Sequence, residues 1–188
     1  PASAAPPRLV FGSVLLDKDV DENARTFLVL RSLKLLQSRS AALSRAAPID
    51  LWPMVAGMLS VFAPSWQAPG VDAKKVAEHQ QRLKTALVRE LDGDVPVLAM
   101  EVIGSIGNRA SQLGTAVNQW GNRTALLAMG SPATALRGIA LGTGHPEGPP
   151  EDAAERLKWI VRNPEARDIA VFSVSEQYSD ARRRLTLG

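Results

Sequence analysis

Residues 9–40, LVFGSVLLDKDVDENARTFLVLRSLKLLQSRS, decide the fold class. A strand-like run, Leu9-Val10-Phe11, is followed by Leu15-Leu16, an acidic turn and a long apolar helix with Asp21 at its N-cap position. Ala24, Phe27, Leu28, Leu35 and their neighbours make an apolar face wide enough to bury the helix on most sides. A helix buried that far needs other helices around it. The expected fold is therefore mainly α, a compact multi-helix domain with at most a short N-terminal strand or hairpin.

Composition points the same way. Of the 188 residues, 45% are hydrophobic and only 5% aromatic, so the core has to be Leu, Ala, Val and Ile, which favours helix packing over a sheet sandwich. A chain of this length fits one domain, or one with a small satellite, and buries roughly 70% of its unfolded surface. The absence of cysteine excludes a disulfide framework and a thiolate zinc site. No apolar run approaches the ~18 residues of a membrane span, and nothing reads as a signal peptide. The formal charge of +3 gives only a weak attraction for polyanions. The opening PASAAPPR resembles the end of a Pro/Ala linker or an artificial boundary, so residues 1–8 are expected to precede a domain of a longer protein.

Farther along, Pro48-Ile49-Asp50 opens a second helix running to about Phe62, with Pro53 expected in its first turn. Asp72 caps a third helix, ended by Asp92-Gly93-Asp94. Two or three helices follow between Pro96 and Leu141, interrupted by Gly104, Gly107, Gly121 and Gly130. Residues 143–150 lie in the Gly/Pro-rich break GTGHPEGPP, a connector rather than a phosphate loop, because no strand precedes it and no Lys-Ser/Thr follows. Beyond it, residues 151–188 should form helices packed on a core spanning 9–142. Gly107-Asn108-Arg109 recurs as Gly121-Asn122-Arg123, which reads as two helix starts with similar caps or as two Arg on similar helix faces.

Catalytic patterns are sparse. His79 is expected on a solvated helix face and His145 in a loop, with no ligand-spaced partner for either. No G-x-S-x-G nucleophile elbow occurs, and the G-x-x-G of Gly104-Ser105-Ile106-Gly107 lacks the basic residues of a nucleic-acid clamp.

Two segments together resemble a known family. The order of strand, acidic turn and apolar helix is similar to that of gluzincin endopeptidases, whose helix carries HExxH. In that motif the two His bind zinc and the Glu activates water. Here Arg31-Ser32-Leu33-Lys34-Leu35 stands in its place. The family's third ligand lies on a later helix, in a pattern like E-x-x-A-D followed by R-x-A-x-x-L and a Gly-Asp/Ser-Pro turn. This chain offers Asn118-Gln119-Trp120-Gly121-Asn122, then Arg123-Thr124-Ala125-Leu126-Leu127 and Gly130-Ser131-Pro132. Asn118 takes the position of the ligand Glu, and Asn122 that of the helix Asp. The resemblance implies a degenerate peptidase-like domain with no metal, no cofactor and no catalytic residue. Such domains look to be appended to large bacterial tetratricopeptide-repeat proteins. It also implies a vestigial pocket formed by Arg31, Ser32, Leu35, Asn118, Asn122 and Arg123. Arg31 cannot donate a lone pair to zinc, but its guanidinium could supply the missing positive charge to Ser32 or Asn118. The alternative is that Arg31 lies on the solvated edge of its helix.

Three functional classes follow. The first, and the expected one, is a non-catalytic protein-interaction or scaffold domain, a pseudoenzyme in the cytoplasm or else the periplasm. Trp52, Phe62 and Trp66 would then form a partner-docking patch, if they do not form a corner of the core. The second is nucleic-acid or polyanion binding through the C-terminal cations, including Arg182-Arg183-Arg184; interleaved acids and scattered aromatics speak against it. The third is an enzyme using carboxylates such as Glu90, Asp92, Asp94 or Glu101.

Overall fold

Asp21 does open the first helix. Its carboxylate accepts from the Ala24 N–H at 2.8 Å, and α1 runs over Glu22–Gln37. The computed structural model describes residues 8–87 and 94–185. Arg39 ends α1 in the left-handed region, φ +54°, which lets the Ser40 N–H return to the Leu35 carbonyl at 2.9 Å. Helix α2 is Pro48–Phe62, with Pro48 in its first turn. Pro53 lies in the second turn, not the first, and its missing N–H removes the helical bond to Ile49. Helix α3, Ala73–Ala86, is capped by Asp72, whose carboxylate accepts from the Lys74 N–H at 2.9 Å.

Helix α4, Val95–Ile106, passes through a 3-10 segment, Gly107–Gln112, into α5, Leu113–Met129. Helix α6 is Pro132–Gly142, α7 Ala153–Arg162, α8 Pro164–Ser173 and α9 Glu176–Arg184. Each of these four starts on a side-chain cap, respectively Ser131, Asp152, Asn163 and Ser175. The expected end of α3 at Asp92-Gly93 lies outside the described residues.

The fold is mainly α, with nine α-helices and no strand among the described residues. Leu9-Val10-Phe11 has β-type residues but no partner strand, and the chain forms only a 3-10 turn beyond it, Ser13–Leu16. Gly104 and Gly121 lie inside helices rather than between them, while Gly130, φ +70°, does stop α5. The two Gly-Asn-Arg copies therefore differ in kind: Arg109 lies in a 3-10 segment and Arg123 in the middle of a helix, so neither of their expected relations holds. No helix among the described residues is long and apolar enough to cross a membrane.

The chain forms two compact units. One contains the residues up to Ala42 and those from Ala116 onward; the other is Leu43–Thr115. In the first, Phe27 and Leu28 of α1 pack with Ala125 and Leu126 of α5, Ile139 of α6, and Ile169 and Phe172 of α8. Helices α1 and α6 approach so closely at Gly138 that a Cβ there would sit 2.3 Å from Phe27 Cδ1. In the second unit, Trp52, Val55 and Leu59 of α2 pack with Ala99 of α4 and Ala110 of the 3-10 segment. The C-terminal helices thus share a core with α1. Residues 43–115 stand as a unit of their own within the span 9–142, because α1 finds its packing partners only after residue 115.

Candidate functional site

Gly121 determines what α1 meets. A Cβ at this position of α5 would lie 3.2 Å from Arg31 Cγ and 3.4 Å from Leu35 Cδ2, so glycine lets both side chains approach α5 closely, and a larger residue would push them back by a few tenths of an ångström. Arg31 and Leu35 are one helical turn apart and share a face. Their counterparts on α5 are Asn118, one turn before Gly121, and Asn122, immediately after it. The close approach puts the Arg31 guanidinium at the Asn118 amide, with Nη2 donating to Oδ1 at 3.0 Å.

A second acceptor comes from α8. Asn163 caps that helix by accepting from the Glu165 and Ala166 N–H groups at 3.0 and 3.1 Å, and so orients Glu165 in the first turn. Arg31 Nη2 lies 3.3 Å from Glu165 Oε1, and Asn122 Nδ2 donates to Glu165 Oε2 at 2.9 Å. One carboxylate therefore ties α1 and α5 to the start of α8. Asn122 is 1% exposed, yet its Oδ1 has no hydrogen-bond partner, and the same holds for the buried Arg31 Nε. Such unmade bonds are costly in an interior, so the network is held in place by the packing around it.

The remaining pocket residues separate from this network. Ser32 turns back on its own helix, donating to the Leu28 carbonyl at 2.7 Å, and does not serve as the acceptor for Arg31. Leu35 is buried against α5. Arg123 grips Asp168 of α8 through two bonds, Nε to Oδ2 at 3.0 Å and Nη2 to Oδ1 at 2.5 Å, and lies over the Phe172 ring at 4.8 Å. The Asp168 bond holds the Arg123 guanidinium above its ordinary range, against the opposing effect of burial.

Zinc does not fit this donor set. Arg31, Asn118, Asn122 and Glu165 provide one carboxylate, two amides and no imidazole, and a fixed guanidinium occupies the oxygens a cation would need. Among the described residues no group of three or more His, Cys, Asp or Glu side chains is placed to hold a metal ion.

Other expected positions settle differently. Trp52 is 9% exposed and forms core, its Nε1 donating to the Pro69 carbonyl at 3.1 Å. Trp66 meets it edge-on at 6.0 Å between ring centroids, and both Trp66 and the half-buried Phe62 pack on the same core. The three aromatics form a corner of the second unit's core rather than an open docking patch, because Trp52 needs burial and a partner for its N–H. His79 is half-buried, and its Cβ would lie 2.6 Å from a Cβ on Gly57, so it is a packing residue more than a solvated one. His145 is exposed in its loop, 3.4 Å from Glu147. Asp94 and Glu101 are exposed, while Glu90 and Asp92 lie outside the described residues.

The C-terminal cations are partly engaged. Arg182 Nη1 donates to the Leu127 carbonyl at 2.9 Å, capping α5 where Gly130 leaves room for its guanidinium, and Arg183 pairs with Asp180.

Glu165 and Asp168 are the site residues that sequence reasoning passed over as solvated charges. Their spacing carried a signal: two acids at i, i+3 just after an Asn-Pro helix start share one face of α8. That face meets Arg31, Asn122 and Arg123.

Comparison with protein families, with curated proteins and with solved structures finds no match to this chain.

Proposed function

We propose that the chain is a non-catalytic protein-interaction module on a peptidase-like helical frame, part of a larger bacterial protein working in the cytoplasm. One observation carries this reading. Positions 31 and 118, drawn from two distant segments by their likeness to gluzincin zinc-ligand positions, meet at hydrogen-bond distance, with position 35 beside them. The guanidinium at that meeting point has no lone pair for a metal, and the one carboxylate beside it, Glu165, has its oxygens engaged by Arg31 and Asn122. In this reading the Arg31–Glu165 pair takes over the task of joining the helices that a metal performs in the family.

The test is to restore the ligands. Wild type and the triple variant Arg31→His, Leu35→His, Asn118→Glu are titrated with zinc by calorimetry and incubated with a fluorogenic peptide mixture. Wild type should take up no zinc and cleave nothing, whereas the variant should bind zinc with micromolar or tighter affinity. Chelator-sensitive cleavage by wild type would overturn the non-catalytic reading. A folded variant without zinc affinity would overturn the peptidase-like frame. Salt-sensitive retention of wild type on heparin would instead favour polyanion binding through the C-terminal cations.

A further inference from the structure

Helix α9 is attached to the first unit by a single turn of its surface. None of its nine residues is buried, and the half-buried ones are Tyr178, Ala181 and Arg182, spaced i, i+3 and i+4 on one face. Glu176, Gln177, Ser179, Asp180, Arg183 and Arg184 are exposed. A helix this short does not hold its shape alone in water, so its inward face and the turn that precedes it keep it folded.

The turn joins α9 to α8 alone: Ser175 Oγ accepts from the Tyr178 N–H at 3.2 Å and donates to the Phe172 carbonyl at 2.7 Å. Tyr178 meets the Phe172 ring edge-on, with centroids 5.6 Å apart. Arg182 reaches farther. Its Nη1 donates at 2.9 Å to the carbonyl of Leu127, one of the last four of α5, which have no partner within that helix. Gly130, φ +70°, provides the seat, since a Cβ there would lie 2.8 Å from Arg182 Nη1 and 3.0 Å from its Cζ. Beneath α9, Phe172 is 9% exposed, whereas Val171 and Val174 beside it are 65% and 85% exposed. Lifting α9 removes Tyr178 from that ring and adds the Phe172 edge to apolar surface already in solvent.

We infer that α9 is a releasable strap. It opens at Val174-Ser175 while the rest of the first unit stays folded, and the open state bares the edge of Phe172. The Arg182 guanidinium is the latch, because it is the side chain that ties α9 to a helix other than its neighbour α8. An element held by so little apolar contact opens on its own, well below the free energy of global unfolding. The inference does not depend on the peptidase-like reading.

Hydrogen exchange of the whole chain, read by mass spectrometry, tests this. In wild type the α9 amides should exchange well before those of α8, at a rate that low urea leaves unchanged, because the opening exposes little surface. Arg182→Ala should speed exchange in α9 by about tenfold or more, the loss of one charge-assisted hydrogen bond, and leave α1, α5 and α8 as they were. It should also bind more anilinonaphthalenesulfonate, although it carries one cation fewer. Arg184→Ala, exposed at the same end of the helix, should change neither readout. Equal protection of α8 and α9 in wild type, an α9 rate untouched by Arg182→Ala, protection lost equally through α1 and α5, or unchanged dye binding would overturn the proposal.

Discussion

Gly138→Ala should destabilise the first unit even though alanine is the better helix former. Phe27 is fully buried, and an added Cβ at 138 would lie 2.3 Å from its Cδ1, 2.9 Å from Cγ and 3.1 Å from Cβ. Carbon atoms in contact prefer about 3.5–4.0 Å, so the overlap at Cδ1 exceeds about 1 Å. Turning the ring does not remove it, because Cβ and Cγ hardly move when the ring rotates. Either α1 and α6 separate or Phe27 leaves its rotamer, and overpacking of this kind costs about 1–3 kcal/mol or more. Alanine recovers about 1 kcal/mol of helix propensity. At the upper end of that cost the net loss is about 2 kcal/mol, which corresponds to a melting point lower by about 4–8 °C for a chain of this size. Gly104→Ala is the control, since nothing lies within 4 Å of its Cβ position, and it should gain about 0.5–1 kcal/mol. Urea unfolding followed by far-ultraviolet circular dichroism measures both. If Gly138→Ala raises the midpoint as Gly104→Ala does, the close approach of α1 and α6 is wrong and with it the packing around Phe27.

The Arg31–Glu165–Asn122 network should behave as a unit: Glu165→Gln and Arg31→Met should each cost about 1.5–3 kcal/mol, with the double variant departing from additivity by at least about 0.5 kcal/mol, and strict additivity in urea melts would count against a shared network. Asp21 gives a pH signature. The Ala24 N–H bond, with the Arg137 pairing, holds its carboxyl below the ordinary range against the raising effect of burial. Its stabilisation is thus complete above the unfolded carboxylate range, about pH 4, and is lost as pH falls through the lower folded value. Wild type should then lose stability on acidification below about pH 4 more steeply than Asp21→Asn, and superimposable acid limbs would refute this. Arg39→Gly should raise stability by about 1 kcal/mol, since glycine adopts the φ of +54° without strain; an unchanged or lower urea midpoint would show that the turn after α1 is misplaced.

Helix positions were legible in the sequence where a cap or a proline marks them. Asp21, Pro48, Asp72 and Asn163 each carry their signal within a few residues, and the structure starts helices beside all four. The interior glycines were not, because Gly121 and Gly138 are dictated by what approaches them from another helix, and no local pattern contains that. The division into units was hidden for the same reason: α1 looks equally able to pack on its sequence neighbour α2 or on α5, α6 and α8. At the candidate site Arg31 and Asn118, singled out in sequence, lie within hydrogen-bond distance of each other, whereas Glu165 had the look of one more surface charge on a helix of mixed sign. Trp52, Phe62 and Trp66 were read as core corner or docking patch, and sequence could not choose, because a buried Trp requires an acceptor that only the folded loop at Pro69 supplies.

The interleaved chain path bears on synthesis. Arg31 and Glu165 are separated by 134 positions, and at roughly 5–20 residues per second a ribosome needs roughly 7–27 s to traverse that distance. For the part of that interval before α5 is made, α1 has Phe27 and Leu28 bare, while the helices of Leu43–Thr115, consecutive in sequence, can already close on one another. The inserted unit therefore acts as a clock for the nascent protein, its length fixing how long the first helix stays open to chaperones or to misassembly with a neighbouring polypeptide.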